Sequence, residues 1–100
     1  MSDYAQTTLR RHRRLAILRH LEGCLDYTSN ASILTDVLDG VGVTSSRDQV
    51  VTELAWLKEN GFVAYEDNGG FLVVEATQRG VEVARGRAGH PEIQRPSARR

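Results

Sequence analysis

The side chains in this chain that could ligate a soft metal or shuttle protons near neutrality are few: His12, His20, Cys24 and His90. His20 and Cys24 stand four apart, which on a helix places them on one face within reach of a shared metal ion. Two ligands do not complete a tetrahedral site, and no second pair stands at motif spacing. A small buried residue accounts for Cys24 as simply. His12 and His90 fall in polar segments and suggest no pairing of nucleophile and base. Gly40 and Gly42 lack the lysine and the strand-to-helix setting of a phosphate-cradling loop. The expectation is a protein with no catalytic residues, no metal and no cofactor, hence not an enzyme. One cysteine cannot close an internal disulfide, which agrees with a reducing compartment.

Charge is the next chemistry on offer, and it is segregated. The formal net charge is +0. Residues 1–25 nevertheless hold five arginines against Asp3 and Glu22, a net of +3. Residues 26–78 hold nine acids against Arg47 and Lys58, a net of −7, and residues 79–100 hold six arginines against Glu82 and Glu92, a net of +4. Basic ends of this kind suit a polyanion, whereas an acidic middle suits a basic partner. The cluster RRHRR at residues 10–14 reads either as a phosphate grip, with Arg11 and Arg14 among its members, or as a solvated helix face.

The chain is 100 residues long with 40% hydrophobic residues, enough for one modest core. No run approaches the ~20 apolar residues of a bilayer-spanning helix, and the opening MSDYAQTTLRR lacks the apolar centre of a secretory signal. A cytoplasmic protein with no membrane partner is expected.

The elements that must carry these residues can be read from caps and periods. Thr7 or Thr8 caps a first helix through about Cys24, with Leu15, Leu18, Leu21 and Leu25 on its stripe. Leu21 and Leu25 are expected in the core, and Arg11, Arg13, Arg14 and Arg19 at the rim or in solvent. Ser29 or Asn30 caps a second helix carrying Ile33, Leu34, Val37, Leu38 and Val41, which Gly40 and Gly42 stop. Val43 returns to the core, and Thr44 and Ser45 or Ser46 cap a third helix with the buried stripe Val50, Leu54 and Leu57. The opposite face of that helix carries Asp48, Gln49, Thr52, Glu53, Trp56 and Glu59. Beyond Gly61, FVAYED and FLVVEA flank Asn68 and Gly69, a hairpin signal that would set Val63 opposite Val74 and Tyr65 opposite Leu72. Thr77 caps a last helix with Val81 and Ala84. From about Gly86 the composition turns to GRAGHPEIQRPSARR, without helical or strand period. Residues 1–86 are therefore expected as one domain and residues 87–100 as a basic flexible tail.

This order of elements, with LAWLKENGFV closing the third helix and VEATQRGVEVARG after the hairpin, resembles winged helix-turn-helix regulators of the ArsR, MarR and PadR kinds. The leucine-x-x-leucine-x-x-x-glycine phrase is matched by Leu54, Leu57 and Gly61, and the threonine-x-x-glycine step by Thr77 and Gly80. The likeness covers roughly residues 8–87, and the size also resembles small phage-encoded winged-helix proteins. It implies an α+β fold with a three-helix core, a two-stranded wing and a short C-terminal helix. It further implies a dimeric transcriptional regulator whose third helix enters the major groove of double-stranded DNA. Carried over by position, the readers are Ser45, Ser46, Arg47, Gln49, Thr52 and Trp56, with Asn68, Gly69 and Gly70 at the wing tip near the backbone. Gln49 would pair with adenine, Arg47 with guanine or phosphate, and the serines with phosphate.

The acids of the third helix and wing, Asp48, Glu53, Glu59, Glu66 and Asp67, have the wrong sign for a phosphate surface. They carry the alternative, a winged-helix interaction module docking a basic protein, with Trp56 as anchor and Glu53 and Glu59 as rim. Trp56 lies well away from the centre of the buried stripe, so either the first helix or the wing folds over it or it anchors a partner.

Overall fold

A computed structural model describes residues 2–97, the side chain of Ser2 excepted. The architecture is α+β, with four α-helices and a three-stranded antiparallel sheet. Helix α1 runs Ser2–Glu22, strand β1 Thr28–Asn30, α2 Ala31–Gly40, α3 Arg47–Glu59, β2 Val63–Asn68, β3 Phe71–Ala76 and α4 Gln78–Ala84. A 3-10 turn at Leu25–Tyr27 joins α1 to β1, and the strand order is β1-β3-β2. No helix among the described residues is long and apolar enough to cross a membrane.

Helix α1 begins before the predicted caps. Thr8 donates its hydroxyl back to the Tyr4 carbonyl at 3.0 Å from within the helix, so neither Thr7 nor Thr8 caps it. Ile17, Leu18 and Leu21 are fully buried, while Tyr4 and Leu9 in the first turns are exposed. The leucine period breaks where the helix stops. Asp26 and Tyr27 adopt φ of 56° and 54°, a left-handed reversal uncommon outside glycine, and Leu25 ahead of them is 88% exposed where the stripe predicts burial. The segment 28–30 adds a short strand to the hairpin in place of a plain turn, with Ser29 opposite Val74.

Helix α2 starts as expected at Asn30, whose Oδ1 accepts the Ile33 amide at 2.8 Å. It buries Leu34 and Leu38 and leaves Ile33 and Val41 exposed. The hairpin differs from its predicted register by two residues. Val63 faces Ala76, Tyr65 faces Val74, and Asn68 faces Phe71, so the two-residue turn is Gly69 and Gly70, at φ of 67° and 90°. A shift of two preserves which residues face the core, and the alternation of apolar residues does not distinguish the two registers. The turn decides it: two consecutive glycines accept the left-handed pair, and the Asp67 carboxylate accepts the Gly70 amide at 2.6 Å.

The step from β3 into α4 explains its own residues. Thr77 accepts the Gly80 amide on its hydroxyl oxygen at 3.1 Å and donates the same hydroxyl to the Gly61 carbonyl at 2.7 Å, while its amide donates to the Phe62 carbonyl at 3.0 Å. A Cβ on Gly80 would stand 2.1 Å from that Phe62 carbonyl oxygen. The start of α4 is thus pinned against the chain leaving α3, at a distance only glycine permits.

The chain does not leave the domain at Gly86. Ile93 is 1% exposed within the core, and the Gln94 amide donates to the Arg11 carbonyl at 3.1 Å. The composition of residues 87–100 predicts a flexible tail, but one isoleucine and one backbone hydrogen bond seat the segment through its middle. Arg99 and Arg100 lie outside the described residues. At the α4 junction, Gly80→Ala is expected to cost about 2 kcal/mol or more by forcing α4 off the Phe62 carbonyl. Urea unfolding measures it, and an unchanged midpoint would rule out close approach as the reason for this glycine.

Candidate functional site

Helix α3 is the element on which the predicted site residues converge, and its start is fixed by a reciprocal cap. The Ser46 hydroxyl accepts the Gln49 amide at 3.1 Å and the Gln49 side-chain oxygen accepts the Ser46 amide at 2.9 Å. Gln49, predicted as an adenine reader, therefore spends its acceptor on the helix. Ser45 is buried: its hydroxyl donates to the Val43 carbonyl at 2.7 Å and accepts from Arg13 Nε at 2.6 Å. Arg47 is exposed and turns to the hairpin, donating from Nη2 to the Gly70 carbonyl at 2.9 Å. Thr52, Asn68, Gly69 and Gly70 are exposed, and Thr52 makes no side-chain hydrogen bond in the described structure.

Glu53 is the largest departure from the sequence reading. Placed on the open face by angle alone, it is 3% exposed. Arg14 donates from Nε to its Oε1 at 2.7 Å, and Arg13 Nη1 and Arg10 Nε lie 3.5 and 3.7 Å from Oε2. Arg13 and Arg14, expected in solvent, are 7% and 4% exposed. Helix α1 packs along this flank of α3, so the basic cluster faces inward onto a carboxylate. Charges desolvated this far survive only when their hydrogen-bonding capacity is met. Arg14 meets it with a second bond, from Nη1 to the Glu92 carbonyl at 2.9 Å, and Arg13 with its bond to Ser45.

Trp56 completes this cluster. The Arg14 guanidinium carbon sits 3.7 Å from its ring centroid, His90 meets it edge-on at 5.1 Å, and Phe62 stacks at 6.2 Å. The element folded over Trp56 is the C-terminal segment, which carries His90 and Ile93. The ring is half-buried by its own chain, which answers the question left by its angular position and withdraws it as an open anchor. Arg14 is likewise withdrawn as a phosphate grip, because it is enclosed. Arg11 stays partly exposed.

What α3 presents outward is Asp48, Thr52 and Glu59, with the half-buried Val51 and Ala55 between them. The neighbouring hairpin adds Glu66 and Asp67, both exposed. The two bases beside this face are engaged: Arg47 at Gly70, and Lys58 over the Tyr65 ring at 4.4 Å. An open groove of about 470 Å³ separates this face from the first turns of α1, lined by Gln6, Leu9, Arg10, Asp48, Gln49 and Thr52. His20 and Cys24 do come together, Nε2 to Sγ at 3.4 Å, and among the described residues no group of three metal-ligating side chains forms around them.

Among the described residues, Glu53→Gln removes the only carboxylate near the enclosed Arg13 and leaves Arg14 with Glu92 alone, at 3.7 Å, and a loss of about 3 kcal/mol is expected in urea unfolding. A variant as stable as the parent would show that the cluster is neutralised elsewhere. Ile93→Ala is expected to cost about 3 kcal/mol and to shift the emission of Trp56, the one tryptophan, to the red. Unchanged emission and stability would mean that the terminal segment contributes nothing to the packing.

No family model matches the chain. It is 46% identical over 87 residues to the uncharacterised protein gp26 of Escherichia phage Mu, across 87% of this chain and 90% of that protein. It is also 43% identical over 67 residues to an uncharacterised protein of Haemophilus influenzae, across 66% of this chain and 65% of that protein. With that identity to the phage protein sustained over most of both chains, the chain belongs to the phage Mu gp26 family.

Proposed function

We propose that the domain is a winged helix that works as a protein-interaction module, receiving a basic partner on the outward face of α3 and the hairpin. The winged-helix reading draws on the element order and on the β1-β3-β2 sheet, in which a short strand ahead of α2 joins the hairpin after α3. The docking reading rests on one observation. The arginines of α1 nearest α3 turn to Glu53, while the face α3 turns outward carries Asp48 and Glu59, and the exposed Arg47 and Lys58 at its edge are turned to the Gly70 carbonyl and the Tyr65 ring. A duplex would bring phosphates against the carboxylates of Asp48 and Glu59 there, which opposes association. A lysine- or arginine-rich surface meets complementary charge and two small apolar contacts, Val51 and Ala55.

A second reading, recognition of double-stranded DNA, draws on the bond from Arg47 to Gly70, which holds the hairpin tip beside the start of α3 with Thr52, Gly69 and Gly70 open. Arg47 is exposed and has only a carbonyl to give up. On either reading a homodimer would use the exposed first turns of α1, where Tyr4 and Leu9 have no partner in the domain, because α4 is buried on Val81, Val83 and Ala84.

Amide chemical shifts of the full chain, followed during titration with decalysine and separately with a random-sequence duplex at low and near-physiological salt, test the assignment. The expected outcome is that decalysine moves Asp48, Thr52, Glu59 and Asp67 and that Asp48→Lys with Glu59→Lys abolishes the effect. Movement of Thr52, Gly69 and Gly70 by the duplex, with decalysine inert, would overturn docking in favour of DNA.

A further inference from the structure

From the C-terminal segment we infer a second binding site, an oxyanion seat formed by Arg11, Arg95 and His90. None of these residues belongs to the α3 and hairpin face, so the site stands or falls independently of the docking proposal. The segment is held in place by contacts that have nothing to do with anion binding: Ile93 in the core, the Ile93 amide on the His90 carbonyl at 3.0 Å, and the Gln94 amide on the Arg11 carbonyl at 3.1 Å. The result is a shallow concavity of about 420 Å³ between α1 and the segment, lined by Arg11, Gly89, His90, Pro91, Ile93 and Arg95.

Three features of that concavity point to an anion. Two guanidiniums line it and no carboxylate does. Glu92, the acid nearest in sequence, instead stands with its Oε1 3.7 Å from Arg14 Nη1. The Nε of Arg11 is buried, and among the described residues it is the buried side-chain nitrogen or oxygen without a hydrogen-bond partner. An N–H of a charged group in that state costs free energy that an incoming acceptor recovers. Finally, His90 accepts the Glu92 amide on Nδ1 at 3.0 Å, which leaves the ring proton on Nε2 and fixes the imidazole at the wall of the concavity, between the segment and the rings of Trp56 and Phe62. Two guanidiniums lining one concavity offer the forked N–H donors that phosphate oxygens accept several at a time.

Phosphate chemistry reaches such a seat from a free phosphate ion or from a nucleic-acid backbone, and the two are separable. The full chain is titrated with inorganic phosphate against chloride at matched ionic strength, and in a second arm with a random-sequence duplex. Amide shifts of residues 89–95 and the Arg11 and Arg95 side-chain Nε signals report binding. Saturable shifts with phosphate are expected, weakened about tenfold or more by either Arg11→Gln or Arg95→Gln and unchanged by Arg19→Gln, an exposed arginine of the same helix. Arg95 is exposed, so its variant tests the seat even if Arg11→Gln perturbs the packing of α1. Stronger shifts with the duplex at equal phosphate would identify a backbone contact, and shifts with phosphate alone a free ion. No saturable shift in either arm, or shifts that persist in both glutamine variants, would overturn the assignment.

Discussion

Glu53 sits in the middle of α3 with its carboxylate sealed from water, and three arginines of α1 close on it. Nothing else in the domain so constrains how its parts are arranged. A buried carboxylate without a counter-charge is not sustainable, and two buried guanidiniums without one are worse. Helix α1 must therefore lie along α3 at a height that brings Arg13 and Arg14 to residue 53. The donors left over after that pairing set the next contacts. Arg13 reaches Ser45 in the approach to α3, and Arg14 reaches the Glu92 carbonyl in the terminal segment and covers the face of Trp56. One carboxylate thus fixes four pieces of chain relative to one another. Such a pair adds little net stability over an apolar replacement; its effect is to exclude other arrangements, since any slip of α1 leaves charge unpaired.

The same cluster explains why a segment of such polar composition stays on the domain. Ordering residues 88–97 costs backbone entropy at every position. Against that stand a fully buried Ile93, the edge-on contacts of His90 with Trp56 and Phe62, and the hydrogen bonds at Arg11 and Arg14. Arg14 is central, because its guanidinium lies between the two surfaces, and the water it loses when the segment docks is replaced by its bond from Nη1 to the Glu92 carbonyl. Salt-bridge formation within α1 and α3 and docking of the terminal segment are then one cooperative event. Arg85 adds a peripheral tie, donating to Glu22 at 3.0 Å, a partner that raises its already high pKa.

The parts of this structure that were legible in the sequence are those governed by local chemistry. The Ser46 cap, the Asn30 cap and the Thr77 and Gly80 step all rest on hydrogen bonds within three residues, and each stands where the residue types put it. The apolar stripe of α3 was equally readable, since Val50, Leu54 and Leu57 recur at helical spacing and are fully buried. Tertiary chemistry was not. Arg13, Arg14 and Glu53 read as surface residues because isolated charges belong in water, and their pairing joins positions about 40 apart in sequence that no period connects. The hairpin register failed for a different reason: Asn68 with Gly69 and Gly69 with Gly70 both satisfy a two-residue turn, and both keep the same residues inward. Residues 88–97 read as a tail because composition averages over a segment that is held by a few particular contacts, those of Ile93, His90 and two backbone groups.

Charge counted along a sequence differs from charge available at a surface, and in this domain the difference bears directly on function. The basic character of residues 1–25 looks like a reserve for phosphates, yet its two most central arginines are turned inside the protein onto one acid drawn from the negative middle of the chain. Removing Arg13, Arg14 and Glu53 from the surface leaves the outward side of α3 to Asp48 and Glu59, and the hairpin to Glu66 and Asp67. On the flank made by α1 and the C-terminal segment, the partly exposed Arg11 and the exposed Arg95 stand together, with no carboxylate of the described residues lining the space between them. The fold therefore separates an acidic face from a basic seat through the very cluster that holds it together. Two surfaces of opposite sign on so small a body mean that net charge, which is zero for the chain, says little about the potential either surface presents.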